Sequence, residues 1–198
     1  MKTTKNYVQR MARKKVMVDA SIAAATKQRG LLLVLTGNGK GKSSSAFGMA
    51  ARALGHKLHV VVIQFVKNNA TTGEEEFFRN QANIQWHICG AGFTWETANL
   101  AKDMEAAHKG WSLACEVLKD SAINMVILDE ITYPLRDKLI SLDACLEALV
   151  ARPTMQHVII TGRGAPQALI EVADTVTEVQ DSKHAFRAGI AAQIGIEY

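Results

Sequence analysis

The sequence predicts an α/β fold in which a mostly parallel sheet of about six strands is covered by helices on both faces. Three observations predict it. Short apolar runs without polar alternation recur along the chain, LLLVL at 31–35, LHVVVIQF at 58–65, NMVILDE at 124–130 and HVIITG at 157–162, as strands buried on both faces require. Helical stretches separate these runs, which is how a chain returns to the start of the next parallel strand. The loops rich in glycine, polar and acidic residues follow strands, which gathers them at the carboxyl edge of the sheet, where ligands bind in such folds.

The elements follow in order. Residues 7–28 carry a loose apolar stripe, Val8, Met11, Val18, Ile22 and Ala25, among good helix formers. Residues 31–35 form the first strand. A glycine loop leads into a helix over 42–54, stopped at Gly55. The valine-rich run 58–65 is the second strand, and VKNNATTGE (66–74) is a polar loop before a short helix at 74–80. IQWHI (84–88) is the third strand, and CGAGFTWET (89–97) a loop with two large aromatics. A long helix spans 97–119, with Leu100, Met104, Ala107, Trp111, Ala114 and Leu118 on one face. The fourth strand, 124–130, ends in two acids. A helix at 141–151 precedes Pro153, and the fifth strand, 157–162, runs into TGRGAP. A helix at 166–173 leads to DTVTEVQ (174–180), the sixth strand; the tail DSKHAFRAGIAAQIGIEY is assigned no element.

Composition narrows the class. The 198 residues, 48% hydrophobic, suit one domain with a sizeable core. No apolar run approaches the roughly 20 residues of a membrane span, and MKTTKNYVQRMARKK has no apolar stretch behind it to make a secretory signal. The three cysteines, Cys89, Cys115 and Cys145, are scattered, as expected of reduced thiols in a cytoplasmic protein. The net charge of +4 is unevenly placed: residues 1–29 hold eight Lys and Arg against the single acid Asp19, whereas the rest holds 15 basic and 18 acidic residues. Residues 1–28 are therefore a basic helical arm, a candidate lid or dimer contact with a solvated basic helix as the competing reading, ahead of a nucleotide-binding domain at 29–198. Basicity confined to an arm does not make a nucleic-acid-binding domain.

The chemistry lies in the loops. In TGNGKGKSSS the glycines Gly37, Gly39 and Gly41 let the backbone approach an anion and turn N–H groups toward it. The following helix points its positive end at the same place. Lys42 supplies a charge for phosphate oxygens, Ser43 a hydroxyl for Mg²⁺, and Lys40 a second cation. The spacing departs from G-x-x-x-x-G-K-[ST], which would put a glycine where Thr36 stands. Asp129 and Glu130, closing an apolar strand, are the matching Walker B acids. The same pair suits an ATPase, whose glutamate activates water. Phe93 and Trp95 flank Thr94 in a glycine-opened loop at the ligand edge. They either pack beneath the loop or meet a large, flat, apolar ligand.

Together, TGNGKGKSSSAFGMAARALGH, GFTWET, MVILDEITY, VIITGRG and KHAFRAGIAAQIGIEY resemble the CobA-type ATP:corrinoid adenosyltransferases. The resemblance covers about Arg29 to Tyr198. It implies a RecA-like P-loop fold and transfer of the 5′-deoxyadenosyl group of ATP to the Co(I) of cobalamin, cobinamide or another corrinoid, with release of triphosphate. It further implies an ATP reversed in its loop, with Gly37, Asn38, Gly39, Lys40, Gly41, Lys42, Ser43 and Ser44 at the end of the triphosphate chain. Arg52 matches a phosphate-contacting arginine. Ser43 and Glu130, with Asp129 close by, match the ligands of Mg²⁺ or Mn²⁺. Phe93 and Trp95 match aromatics against the lower face of the corrin ring, where they strip the axial ligand so that Co(II) can be reduced. Also implied are a flavodoxin-like electron donor and a homodimer. The sequence has no D-x-H-x-x-G pattern, whose histidine would supply a lower ligand. The family commonly has Thr at position 43, and KNNATTGEEE keeps only Lys67, Gly73 and Glu74 of its loop. Arg163, His184 and Arg187 are further polar groups in the matching segments, each with a structural role as the competing reading.

The rival readings are a P-loop ATPase or nucleotide kinase, which would form orthophosphate or ADP, and a nucleotide-sensing module whose basic arm binds nucleic acid.

Overall fold

The computed structural model describes residues 2–66, 72–90 and 100–197. Its elements are α1 (Lys2–Ala24), β1 (Leu32–Thr36), α2 (Lys42–Gly55), β2 (Val60–Gln64), α3 (Gly73–Arg79), β3 (Ile84–Ile88), α4 (Leu100–Val117), β4 (Met125–Asp129), α5 (Thr132–Arg136), α6 (Leu142–Ala151), β5 (His157–Thr161), α7 (Gln167–Val172) and β6 (Thr175–Glu178), followed by a 3₁₀ turn (Ala185–Ala188).

The six strands form one sheet in the order β3-β2-β4-β5-β1-β6, and every pairing is parallel. Alternate residues of each buried strand serve opposite faces. Leu32 and Val34 of β1, Val61 and Ile63 of β2, and Val126 and Leu128 of β4 join one core, under α4, α6 and α7. Leu35, Val60, Val62, Met125, Ile127 and Ile159 join the other, under α2 and α3. Both faces are thus covered, which is why the strands read as unbroken apolar runs. Only the outer strands are relieved of this demand: β6, at one edge, is exposed along its length.

Several boundaries differ from expectation. The first helix starts at Lys2 and ends at Ala24, so the stretch 25–28 is not helical. Its described side chains are almost all exposed, including Tyr7, Val8, Val16, Met17 and Ile22. The acidic strand end is followed by the unexpected helix α5; Pro134 falls in its first turn, where a missing N–H costs nothing. Residues 97–99, expected to open the long helix, lie outside the described residues.

Candidate functional site

The loop after β1 is held from the side by the chain leaving β6. Val179 N donates to Thr36 O (2.8 Å), and Gly39 N donates to Val179 O (2.7 Å). Gly37 adopts φ +94°, and a Cβ there would lie 2.5 Å from Val179 O. A side chain at position 37 would therefore face both backbone strain and a clash. Gly41 precedes α2 with no side-chain cap, which leaves first-turn N–H groups of that helix open to an anion. Lys42, the first residue of α2, is only 6% exposed, and its Nζ donates to Gly39 O (2.8 Å). Burial pulls its pKa down, while Glu130 and, more weakly, Asp129 hold it up.

Across the cleft, Asp129 ends β4 and is 2% exposed. Both of its carboxylate oxygens accept hydrogen bonds, Oδ1 from Thr161 Oγ1 (2.7 Å) and Oδ2 from Gln64 Nε2 (2.9 Å). Gln64 Oε1 in turn accepts from Trp86 Nε1 (3.0 Å), and Thr161 Oγ1 accepts from Glu130 N (2.9 Å).

Glu130 follows with φ +59°, in the left-handed region that non-glycine residues rarely adopt. The turn is possible because Gly162, φ +137°, comes close on the β5 side: a Cβ there would overlap Thr132 Oγ1 and lie 3.2 Å from Glu130 Oε2. Glu130 Oε2 is buried with no hydrogen-bond partner. Burial, then the charge of Asp129, pushes the Glu130 pKa up to about 7, against the pull of Lys42 and Arg163. Among the described residues no three His, Cys, Asp or Glu side chains gather as a metal cluster. A Mg²⁺ ion that takes phosphate oxygens and waters is commonly held by only one or two carboxylates.

These groups face one cleft of about 370 Å³. Of the residues expected in the site, Asn38, Gly39, Lys40, Gly41, Lys42, Ser43, Ser44, Asp129 and Glu130 line it, and so do Glu74, Arg163 and His184. Gly37 lies at the root of the loop, outside the cleft lining. Arg52 is exposed in the last turn of α2; nine residues beyond Ser43, it is about 13 Å further along the helix axis. Arg187 pairs with Asp181 away from the cleft. Phe93, Trp95 and Lys67 lie outside the described residues. Sequence reasoning missed Gln64, Tyr133, Thr161, Ile196 and Glu197. Gln64 and Thr161 did carry a signal: each is a lone polar residue near the end of a buried apolar strand. Glu197 reaches the cleft because the tail folds back, its carboxylate 3.5 Å from Lys40 Nζ.

The family model for ATP:corrinoid adenosyltransferase BtuR/CobO/CobP matches residues 28–198. A corrinoid adenosyltransferase of Pseudomonas aeruginosa is 52% identical over 191 residues, 96% of this chain and 94% of that protein. The corrinoid adenosyltransferase of Escherichia coli is 45% identical over 192 residues, 97% of each chain. Corrinoid adenosyltransferase CobA of Salmonella typhimurium is 44% identical over 192 residues, again 97% of each.

Proposed function

The chain belongs to the ATP:corrinoid adenosyltransferase family BtuR/CobO/CobP, and from that membership we propose that it transfers the 5′-deoxyadenosyl group of ATP to the Co(I) centre of a corrinoid, cobalamin or cobinamide among them, releasing triphosphate. The observation that carries this reading is the meeting, in one cleft, of a glycine loop with its buried lysine and two strand-end carboxylates.

The reaction needs alignment more than proton transfer. Co(I) supplies an electron pair to the 5′ carbon of ATP. The cobalt–carbon bond forms as the bond from that carbon to the α-phosphate oxygen breaks, and the pair leaves with triphosphate. No general base takes part. What the protein contributes is positioning, which can supply up to roughly 7–11 kcal/mol, and stabilisation of charge on the leaving group. Lys42 and the N–H groups at the start of α2 suit the second task, with ATP lying reversed so that its triphosphate end occupies the loop. The orphaned Oε2 of Glu130 beside Asp129 fits a divalent cation. Ser43 and Glu130, with Asp129 adjoining, would hold Mg²⁺ or Mn²⁺. When bound, such an ion neutralises phosphate charge.

Phe93 and Trp95 cover the lower corrin face and keep water and the nucleotide-loop base from the cobalt, which eases reduction of Co(II). The electron comes from a flavodoxin-like protein. Arg52 joins the phosphate set on the resemblance alone. We assign the reaction to the cytoplasm and the enzyme to a homodimer; the exposed apolar side chains of α1 support the latter. Among the described residues no helix is long and apolar enough to cross a membrane.

The test mixes protein, ATP, Mg²⁺ and chemically reduced cobalamin. The visible spectrum of a cobalt–carbon bond should appear in step with inorganic triphosphate. Orthophosphate or ADP without that spectral change would favour the ATPase or kinase reading instead.

A further inference from the structure

Four neighbouring strands are tied by one chain of buried hydrogen bonds, from mid-strand Trp86 of β3 to Gln64 at the carboxyl end of β2, from Gln64 to Asp129 at the end of β4, and from Thr161 at the end of β5 to the same Asp129. All four side chains are at most 6% exposed. The direction of every bond follows from its first member. An indole N–H can only donate. Gln64 must then present its oxygen to Trp86 and its NH₂ to Asp129. At the far end Glu130 N–H donates to Thr161, whose own proton is directed to the other Asp129 oxygen. Each carboxylate oxygen receives one proton from the side, which pins the plane of the group and leaves its remaining lone pairs for the cleft.

From this geometry we infer that Trp86 and Gln64 are positioning residues for the cation–nucleotide site: they hold the Asp129 carboxylate in the one orientation that serves a divalent cation on the triphosphate. The inference rests on the reading of the cleft as a Mg²⁺–ATP site. Both residues act through Asp129. Trp86 also packs against Phe47, a wall of the cleft, with ring centroids 4.9 Å apart, and stacks on Phe78 at 5.7 Å. The indole is therefore fixed by packing on its ring faces and by hydrogen bonding at its edge. If the indole N–H is lost, Gln64 Oε1 is left buried without its donor, and the amide is held only by its bond to Asp129, so it fixes the carboxylate less firmly.

The test measures ATP affinity of the full-length protein by calorimetry, once with Mg²⁺ and once with EDTA, in the absence of corrinoid. Trp86→Phe keeps the ring and removes the donor. Gln64→Met keeps the length and removes both bonds. Each should shrink the affinity gained from Mg²⁺ about three- to tenfold, the scale of one or two buried hydrogen bonds, while the affinity in EDTA stays within about twofold. Phe78→Leu is the control: it disturbs the same aromatic cluster without touching the chain, so it should lower the melting temperature and leave the Mg²⁺ gain unchanged. If Gln64→Met does not fold, Trp86→Phe decides. A wild-type Mg²⁺ gain in the variants, or an equal loss in Phe78→Leu, overturns the inference. Failure of the wild type to bind ATP in either buffer overturns the site reading itself, and the inference with it.

Discussion

The ammonium of Lys42 donates to the carbonyl oxygen of Gly39, 2.8 Å away. That bond uses one of the three N–H donors of the buried ammonium and steers the group along the loop, leaving the other two for a phosphate oxygen. In the proposed reaction this charge serves the triphosphate leaving group, so Lys42→Ala should cut the transfer rate at least about a hundredfold. Stopped-flow spectra of cobalt–carbon bond formation from prereduced cobalamin check this, with a melting curve to confirm folding. Near-normal turnover would remove Lys42 from the mechanism.

Phe93 and Trp95 are assigned to reduction of cobalt and not to the attack itself. Phe93→Ala and Trp95→Ala should therefore slow the reaction that starts from Co(II) by about tenfold or more, an effect worth about 1.4 kcal/mol at its lower bound. Supplying chemically prereduced Co(I) should restore most of the rate. Equal losses from both starting points would speak against the lower-face role.

Glu130 links the site to pH. Its carboxyl, raised from 4.5 to about 7 by burial and by Asp129, binds its proton more tightly in the folded chain than in the unfolded one. In the nucleotide-free protein the resulting stabilisation is fully present below pH 4.5 and is lost as pH rises through about 7. Glu130→Gln keeps a neutral side chain throughout. The variant should match the wild type near pH 4 and exceed its stability at pH 8 by up to about 3 kcal/mol. Urea denaturation at the two pH values measures the difference; a variant equally displaced at both would mean that the charge is not the cause.

Gly162 is the position where backbone geometry and the site are most closely joined. With φ +137° and Thr132 Cβ 3.0 Å from any added methyl, Gly162→Ala should destabilise the protein by about 2–4 kcal/mol. It should also weaken ATP binding, since the turn carries Arg163 and packs against Glu130. Adding Thr132→Ala removes the hydroxyl clash but not the left-handed backbone, so it should recover only part of the loss. Thermal melts and nucleotide titrations of the single and double variants test this.

Local pattern by itself determined which segments are buried strands, that helices alternate with them, where the glycine loop lies, and that Asp129 closes the fourth strand, with Glu130 directly after it. Those features are legible because burial on both faces leaves an apolar run, and because an anion-binding loop needs glycine and lysine at short range. Tertiary structure alone decided the lateral order β3-β2-β4-β5-β1-β6. That order sets Gln64 and Thr161 on either side of Asp129 and places Trp86 behind Gln64. It also decided that Glu130 would turn into the left-handed region with an orphaned oxygen, and that the tail would fold back to bring Glu197 to Lys40. Sequence periodicity records which face of an element is buried. It does not record which strand lies beside which, because pairing between segments more than a hundred residues apart, such as β1 with β5 and β6, is settled by how the whole set of faces packs at once.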